Sequence, residues 1–278
     1  MRRLELTVRP ESRFPVPVSD GYSVYSALLN AVRSVDETVS ERLHDSPLGG
    51  LHSSGLRGVF GGSDRSHHKT VLPNESYDLT LGVVDPDDES VFQTLVTSFV
   101  LRNDRLGLTD GSLRVEAFES ENVSHADLLE RAADTTDPTL SMKFRTATCI
   151  QEADEVTTMF PHRGAVFSSL ASKWNRTAPE TLELDVSRAE FHANLVEKPD
   201  PRSYDTHSVL VNRVEDDDGN ERPIFRQGFT GECAYAFKNA SASFENATTA
   251  LALFAEFSGV GSAVSRGCGN TTVEVVEG

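Results

Sequence analysis

The first 120 residues alternate between the apolar patterns of strands and of helices. In "RLELTVRP", Leu4, Leu6 and Val8 take every second position, which is the period of a half-buried strand. Apolar residues then recur at steps of three and four, which predicts one long helix that ends within "RLHDSPLGG". The stripe of that helix consists of Val24, Leu28, Val32, Val35, Val39 and Leu43.

Two strands, a second helix and a further strand complete this first unit. The strands are predicted at "SSGLRGVFG" and "YDLTLGVVD", the helix at "ESVFQTLVTSFVLRN", and the last strand at "GSLRVEAFE". The order strand, helix, strand, strand, helix, strand is that of the ferredoxin-like fold, in which two helices cover one face of an antiparallel sheet.

The same order returns after a polar segment, "SENVSHADLLERAADTTDPT", which is predicted to be a linker with a short helix. Strands are predicted at "LSMKFRTATCI", "AEFHANLVE", "HSVLVNRVE", "QGFTGECAYAFK" and "NTTVEVVE", and helices at "GAVFSSLASKWNRT" and "NATTALALFAEFS". The sequence therefore predicts an α+β protein with two tandem ferredoxin-like domains. Their expected bounds are 1–120 and 139–278, with a linker at 121–138.

The composition is strongly acidic. The formal net charge is -17 and the pI is near 4.8, a balance that by itself argues against a nucleic-acid partner. Only five of the 26 basic residues are lysines. This composition suits a salt-rich cytoplasm, because at about 1 M salt the Debye length is roughly 3 Å and carboxylate repulsion is screened. We therefore expect a halophilic archaeon as the source. In such salt, an acidic protein could still bind RNA through short-range contacts.

The cysteines and the apolar profile indicate an intracellular protein. Cys149, Cys233 and Cys268 are odd in number and far apart in sequence, so we expect no disulfide framework, no metal site and no cofactor. The start, "MRRLELTVRP", has no apolar core long enough for a signal peptide, and no window approaches a membrane span. The expected location is the cytoplasm, without membrane contact.

Four glycines lie in the last segment, "FSGVGSAVSRGCGNTTVEVVEG", between a predicted helix and the final strand. Gly259 alone fits the common left-handed end of a helix, but Gly261, Gly267 and Gly269 need another reason. Consecutive exposed N–H groups form concavities that bind the phosphate of a nucleotide or of a polynucleotide backbone. A P-loop is excluded because the loop follows a helix instead of preceding one and lacks a Lys-Ser/Thr pair.

This loop, "GVGSAVSRGCGNTTVEV", resembles the C-terminal glycine-rich loop of the CRISPR-associated endoribonucleases that cut precursor crRNA, within the repeat-associated RNA-binding protein superfamily. Three further segments agree in order and spacing: the strand "LSMKFRTATCI", the helix "FPHRGAVFSSLASKWN" and the Gly-Phe-x-Gly strand "QGFTGECAYAFK". In the first half, "RLHDSPLGGLHSSGLRG" resembles the His-containing segment that follows the first helix of the family. The resemblance covers nearly the whole chain.

The resemblance implies tandem RRM-like domains and metal-independent cleavage of CRISPR repeat RNA. The 2′-hydroxyl attacks its own phosphodiester and leaves a 2′,3′-cyclic phosphate and a 5′-hydroxyl, so DNA would not be cut. Expected partners are the repeat RNA, the mature crRNA and other proteins of a CRISPR interference complex. The implied catalytic residue is His44. The implied RNA-binding residues are Gly259, Gly261, Ser265, Arg266, Gly267 and Gly269.

The chemistry of His44 is compatible with this role, because histidine titrates where a proton must leave the 2′-oxygen or reach the 5′-oxygen. Each such transfer typically contributes about 10²- to 10⁴-fold in rate. The alternative from the residues alone is that His44 only stabilises the C-terminus of its own helix. His52 is a candidate partner for it, whereas the adjacent His67 and His68 resemble a metal site only superficially.

The chain departs from the family in its catalytic set. Some members add a tyrosine and a lysine to the histidine, but the first lysine after His44 is Lys69, and Tyr22 and Tyr25 lie on the preceding helix. Arg266 or loop N–H groups would then stabilise the phosphorane transition state. Aromatic residues of the second half are candidates for base stacking, although Trp174 is expected in the core.

Two other functions remain open from the sequence. A noncatalytic RNA-binding subunit of a CRISPR interference complex, with the same fold, would bind repeat RNA and leave it intact. A tandem ferredoxin-like enzyme would instead hold a small phosphorylated ligand in the glycine-rich loop. Tight binding of a nucleotide without affinity for a hairpin RNA would favour this last function.

Overall fold

A computed structural model describes residues 1–45, 50–84, 87–152, 156–215, 219 and 221–278. The strands of the first unit are β1 (Arg2–Pro10), β2 (Phe14–Pro17), β3 (Leu51–Ser53), β4 (His68–Val71), β5 (Tyr77–Val83), β6 (Arg105–Leu108) and β7 (Gly111–Asn122). Five of them form an antiparallel sheet in the order β3-β5-β1-β7-β6, and β2 pairs with β4 in a separate ribbon. The sequence pattern predicted neither this ribbon nor β6.

The helices of the first unit are α1 (Gly21–Val35), α2 (Glu37–Asp45) and α3 (Asp88–Val96), and α3 continues into a π-helical turn, Thr97–Leu101. The prediction of one long first helix was wrong. Asp36 is extended, with φ -148°, and its carboxylate accepts the N–H of Val39 at 3.1 Å, which caps the start of α2. The Ser40 hydroxyl donates to the carbonyl of Leu29 at 3.1 Å, so α2 folds back along α1.

The second unit has strands β8 (Pro138–Thr148), β9 (Ile150–Gln151), β10 (Thr157–Thr158), β11 (Leu195–Pro199), β12 (Asp205–Glu215), β13 (Glu221–Phe237) and β14 (Thr271–Glu277). Its helices are α4 (His125–Ala133), α5 (Arg163–Thr177), α6 (Arg188–Asn194) and α7 (Ala242–Ser258). The main sheet has the order β11-β13-β8-β14, with β12 paired to β13. This repeats the order β3-β5-β1-β7 of the first unit and confirms the tandem ferredoxin-like fold.

Two predicted strands differ from the structure. "AEFHANLVE" is mostly helix α6, because Ser187 and Glu190 form a capping box that starts a helix. That capping box is visible in the sequence, as Ser-x-x-Glu. "SSGLRGVFG" is a strand only up to Ser53; after it the chain touches β5 and β4 through single bridges at Arg57 and Gly61.

Each unit has its own apolar core. The core of the second unit encloses Trp174, whose indole N–H donates to the carbonyl of Leu182 at 2.8 Å, so the expected core position of Trp174 is confirmed. Helix α4 packs against α7, and His125 contacts Trp174 edge-on with ring centroids 4.6 Å apart. The domain bounds at 120 and 139 remain predictions. Among the described helices, none combines the length and the apolar character needed to cross a bilayer.

Candidate functional site

The glycine-rich loop, residues 259–270, joins α7 to β14. All four of its glycines have positive φ, at 61° for Gly259, 84° for Gly261, 87° for Gly267 and 69° for Gly269. L-residues rarely adopt such angles, and Gly is the default there. The backbone path of the loop is therefore the first reason for its composition.

A second reason is the close approach of the protein's own backbone. A Cβ added to Gly261 would stand 2.4 Å from the carbonyl oxygen of Cys149, where β8 has just ended. A Cβ added to Gly267 would stand 2.7 Å from the Cα of Gly21, the first residue of α1. The loop is thus packed between the second sheet and the first helix. This packing is enough to exclude side chains at Gly261 and Gly267, and no ligand is needed to explain the glycines there.

Burial divides the predicted RNA-binding residues into two groups. Gly259 and Gly269 are buried, so their part is to shape the loop. The others are half-buried and reach the surface: Gly261, Ser265, Arg266 and Gly267.

A cleft of about 280 Å³ lies between the two units, against the outer side of the loop. We call it the cationic cleft, after the four basic side chains in its lining: Arg57, Lys69, Arg145 and Arg266. Asp20 is the acidic residue among those that line it. In a chain of net charge -17, such an excess of cations marks a place for an anionic ligand.

Lys69 is already neutralised within the cleft. Its ammonium lies 2.8 Å from Oδ2 of the buried Asp20 and 3.9 Å from the ring centroid of Phe60. Burial raises the pKa of Asp20, and the neighbouring Lys69 opposes that rise. The other Asp20 oxygen, Oδ1, accepts the N–H of Leu56 at 3.1 Å. This pair therefore supports the cleft wall and leaves the three arginines for a ligand.

The three arginines have no carboxylate ion pair within the described part of the chain. Arg57 and Arg145 donate to threonine hydroxyls at 2.8 and 3.2 Å. The Arg266 guanidinium lies 5.8 Å from the ring centroid of Tyr25, and its buried Nε lacks a hydrogen-bond partner among the described residues. No carboxylate of the described residues therefore competes with a phosphate for these guanidiniums, and guanidinium suits phosphate by its geometry.

His44 lies exposed in the last turn of α2 and is not among the residues that line the cationic cleft. Because α2 folds back along α1, it runs toward the end of α1 at which Gly21 contacts the loop. Residues 46–49 of the segment "RLHDSPLGG" lie outside the described residues. The histidine that does line the cleft is His207, whose Nε2 lies 2.9 Å from Oγ1 of Thr230.

His52 is a core residue and does not act as a partner of His44. It is fully buried on β3, and neither ring nitrogen has a hydrogen-bond partner among the described residues. Burial, together with the charges of Lys173, Arg57 and Arg3, lowers the pKa of His52 to about 3. An imidazole that stays neutral and out of reach of solvent cannot exchange protons with a substrate.

A second cavity adjoins the other side of the loop. We call it the α5 groove: it measures about 420 Å³ and lies between α5, the start of α6 and the loop residues Gly261 and Ser262. Its basic residues are Lys173, Arg176 and Arg188. The Lys173 ammonium donates to the carbonyls of Ser258 and Gly259 at 3.2 and 2.8 Å, and burial lowers its pKa to about 7.

The adjacent histidines and the cysteines are the remaining candidates for a metal or redox site. His67 and His68 belong to no group of three or more ligands for a metal ion among the described residues. All three cysteines are free, yet the Sγ atoms of Cys149 and Cys268 lie 3.9 Å apart although 119 positions separate them. The cysteine spacing in the sequence contained no sign of this contact.

The sequence prediction missed the arginines of the cleft other than Arg266. Arg57 follows β3 in the first unit, and Arg145 lies on β8, the first strand of the second unit. Each is a single basic residue in an ordinary strand pattern, so no local signal separates it from a solvated surface arginine. Only the docking of the two units brings these side chains and Arg266 to one cleft.

Similarity to known proteins is found in sequence for residues 142–271 and in structure for nearly the whole chain. The family model of CRISPR-associated endoribonuclease Cas6 matches residues 142–271, from β8 through the glycine-rich loop. No curated protein matches this chain.

Solved structures match it over its full length. The product complex of a Thermus thermophilus Cas6 has a TM-score of 0.70 at 18% identity and covers 98% of this chain and 99% of its own. The structure of a RAMP protein binding different RNA substrates has a TM-score of 0.64 at 14% identity, with 100% of both chains covered. A Cas6-related protein from Pyrococcus furiosus has a TM-score of 0.63 at 12% identity, covering 99% and 98%. At these identities the likeness to the solved structures shows the fold of the whole chain, and the family model adds a sequence similarity to Cas6 over residues 142–271.

Proposed function

We propose that this protein is a metal-independent endoribonuclease that cleaves CRISPR repeat RNA. The observation that carries the proposal is the cationic cleft, in which Arg57, Arg145 and Arg266 lack carboxylate partners within the described chain and adjoin the glycine-rich loop. Three guanidiniums without a carboxylate partner among the described residues thus share one cleft of an acidic protein. Phosphodiester oxygens are the ligand that such an arrangement suits.

The proposed reaction needs only proton transfers and stabilisation of charge. The 2′-hydroxyl loses its proton to a base and its oxygen bonds to phosphorus. The bond from phosphorus to the 5′-oxygen then breaks, and that oxygen receives a proton. The products are a 2′,3′-cyclic phosphate and a 5′-hydroxyl, and a substrate without a 2′-hydroxyl cannot react.

We assign one of the two proton transfers to His44. Its exposure allows RNA to reach it, and the fold of α2 back along α1 supports a position toward the loop end of α1. The guanidinium of Arg266 would stabilise the charge that develops on the phosphorane oxygens. Gly261, Ser265 and Gly267 would hold the backbone next to it, and Gly259 and Gly269 would keep the loop in shape.

A second function is a noncatalytic RNA-binding subunit. The observation that favours it is that His44 does not line the cleft that holds the arginines. Such a protein would bind repeat RNA as tightly and release no product. Association with other CRISPR proteins stays a prediction of the family resemblance under either function.

The test is cleavage of end-labelled CRISPR repeat RNA in high KCl with EDTA. We compare wild type, His44→Ala, Arg266→Ala and, as a matched control, His67→Asn, which alters an exposed histidine outside the cleft. Expected results are one cut with a cyclic phosphate, loss of cutting with retained binding for His44→Ala, weaker binding for Arg266→Ala, and wild-type behaviour for His67→Asn. RNA that is bound but left intact by the wild type would establish the binding subunit instead; equal cutting by His44→Ala would remove His44 from the mechanism.

A further inference from the structure

The α5 groove and the cationic cleft share one wall. Gly261 and Ser262 line the groove, whereas Arg266 and Gly267, a few residues later, line the cleft. Six residues span at most roughly 20 Å even when fully extended. The glycine-rich loop is therefore a narrow ridge with basic residues on both sides, and a polyanion bound on one side has a short path to the other.

The groove offers charge that the protein does not itself use. Arg176 is exposed and forms no ion pair with any described residue, and Arg188 pairs with Glu152 at 2.6 Å. Lys173 is engaged with the carbonyls at the end of α7, so its role is to hold the loop rather than a ligand. Arg176 is the side chain through which an anionic ligand would gain most, because its charge is uncompensated.

The floor of the groove adds hydroxyl donors. Ser168, Ser169 and Ser172 lie on α5 and share the groove lining. Ser169 accepts the N–H of Gly261 at 3.2 Å, which fixes the ridge against the helix. The hydroxyl of Ser168 is buried and has no hydrogen-bond partner among the described residues. An unpartnered buried hydroxyl in the same lining as guanidinium groups suits an oxygen-rich anion.

We propose that the α5 groove is a second binding site for the phosphate backbone of the same RNA, with Arg176 as its main contact and Arg188 as a second. This rests on the proposed function, in which the RNA occupies the cationic cleft. The RNA then crosses the ridge, so that its affinity depends on phosphate contacts on both sides of the loop. Guanidinium groups suit phosphate oxygens by geometry, and the Ser168 hydroxyl is a further donor in the groove lining.

The test measures RNA affinity as a function of KCl concentration. Each lost phosphate contact lowers the slope of log K against log salt by about 0.7 for a single strand and about 0.9 for a duplex. We compare wild type, Arg176→Ala, Arg266→Ala, the double variant, and Arg131→Ala as a matched control. Arg131 is an exposed arginine of α4 that lies 3.4 Å from Glu121 and outside both cavities.

We expect Arg176→Ala and Arg266→Ala each to weaken binding and lower the slope by about one contact, the double variant by about two, and Arg131→Ala by none. If Arg176→Ala behaves like Arg131→Ala while Arg266→Ala weakens binding, the groove proposal is overturned and the proposed function stands. If Arg266→Ala also behaves like the control, the proposed function itself fails.

A gain-of-affinity variant gives an independent test that does not depend on loss of folding. Glu152→Gln removes the carboxylate that neutralises Arg188 and keeps the shape of the side chain. With RNA in the groove, this variant binds more tightly than wild type and has a steeper salt slope. Unchanged affinity and slope for Glu152→Gln would count against the groove.

Discussion

Gly21, at the start of α1, lies against Gly267 of the glycine-rich loop so closely that a Cβ on Gly21 would stand 2.2 Å from the carbonyl oxygen of Arg266. The two residues are far apart in sequence and belong to different units. Their contact fixes the loop to the first helix and sets one wall of the cationic cleft. The contact makes Gly267 a docking feature between the loop and the first helix.

The first prediction concerns this contact. Gly21→Ala adds a methyl group for which the backbone leaves no room, so we expect a loss of about 1–3 kcal/mol in the free energy of unfolding. RNA affinity should fall as well, because the loop must move. The control is Gly107→Ala in β6, where a Cβ would meet nothing within 4 Å; its change should stay within about 0.5 kcal/mol. Denaturant unfolding and RNA titration measure the stability and the RNA affinity of both variants. Equal losses in Gly21→Ala and Gly107→Ala would refute the docking role.

The second prediction concerns pH. The folded protein binds a proton at His52 only near pH 3, while the unfolded chain binds it near the ordinary pKa of 6.5. The stability due to neutral His52 is therefore complete above pH 6.5 and is lost as pH falls from 6.5 toward 3. His52→Leu should reduce the pH dependence of the unfolding free energy in that window by up to about 1.4 kcal/mol per pH unit.

Unfolding free energies between pH 4 and 8 check this prediction. His67→Asn serves as the control for loss of an exposed histidine. A residual slope of the same sign is expected in His52→Leu, because burial also lowers the pKa of His125 to about 4. A variant with the full wild-type slope would show that His52 is not the group responsible.

The third prediction concerns the buried pair in the cleft wall. Lys69→Met leaves the carboxylate of Asp20 buried without its cation, a change that costs on the order of 3 kcal/mol. The double variant Asp20→Asn, Lys69→Met should be more stable than Lys69→Met alone, because the neutral amide can still accept the N–H of Leu56. A double-mutant cycle by denaturant unfolding gives the coupling energy, and simple additivity would show that the pair is not coupled.

The fourth prediction separates packing from base stacking. Trp174→Phe removes the indole N–H that donates to the carbonyl of Leu182 and leaves space in the core. We expect a loss of about 2–4 kcal/mol in unfolding free energy, since a buried acceptor loses its donor and a cavity forms. RNA affinity, measured where the variant is fully folded, should stay at the wild-type value. A selective loss of affinity without a loss of stability would assign Trp174 to RNA stacking.

The fifth prediction concerns salt. With a net charge of -17, carboxylate repulsion should destabilise the fold at low ionic strength, so the melting temperature should rise from low to molar KCl. RNA binding should persist in molar KCl, because the cleft arginines act at contact distance. A protein that is most stable in dilute buffer and binds RNA only there would contradict the expectation of a halophilic source.

Much of the fold was predictable because local sequence patterns specify it. The tandem repeat of strand, helix, strand, strand, helix, strand follows from apolar periodicity alone, and the sheet orders agree with it. Where local signals compete, the prediction failed: Asp36 divides the first helix through its own cap, and Ser187 starts a helix in a strand-like segment. Both failures come from capping side chains, which override periodicity over a few residues.

The sequence by itself determined the repeated topology and the unusual glycine loop, and it singled out His44 as a candidate. Tertiary structure alone decided that His52 is sealed in the core, that Gly21 meets Gly267, and that Arg57 and Arg145 join Arg266 in one cleft. The physical reason is the distance along the chain over which each kind of interaction acts. Periodicity and caps arise from residues within a turn or two of each other, whereas burial and shared cavities arise from the packing of segments that the chain order keeps far apart.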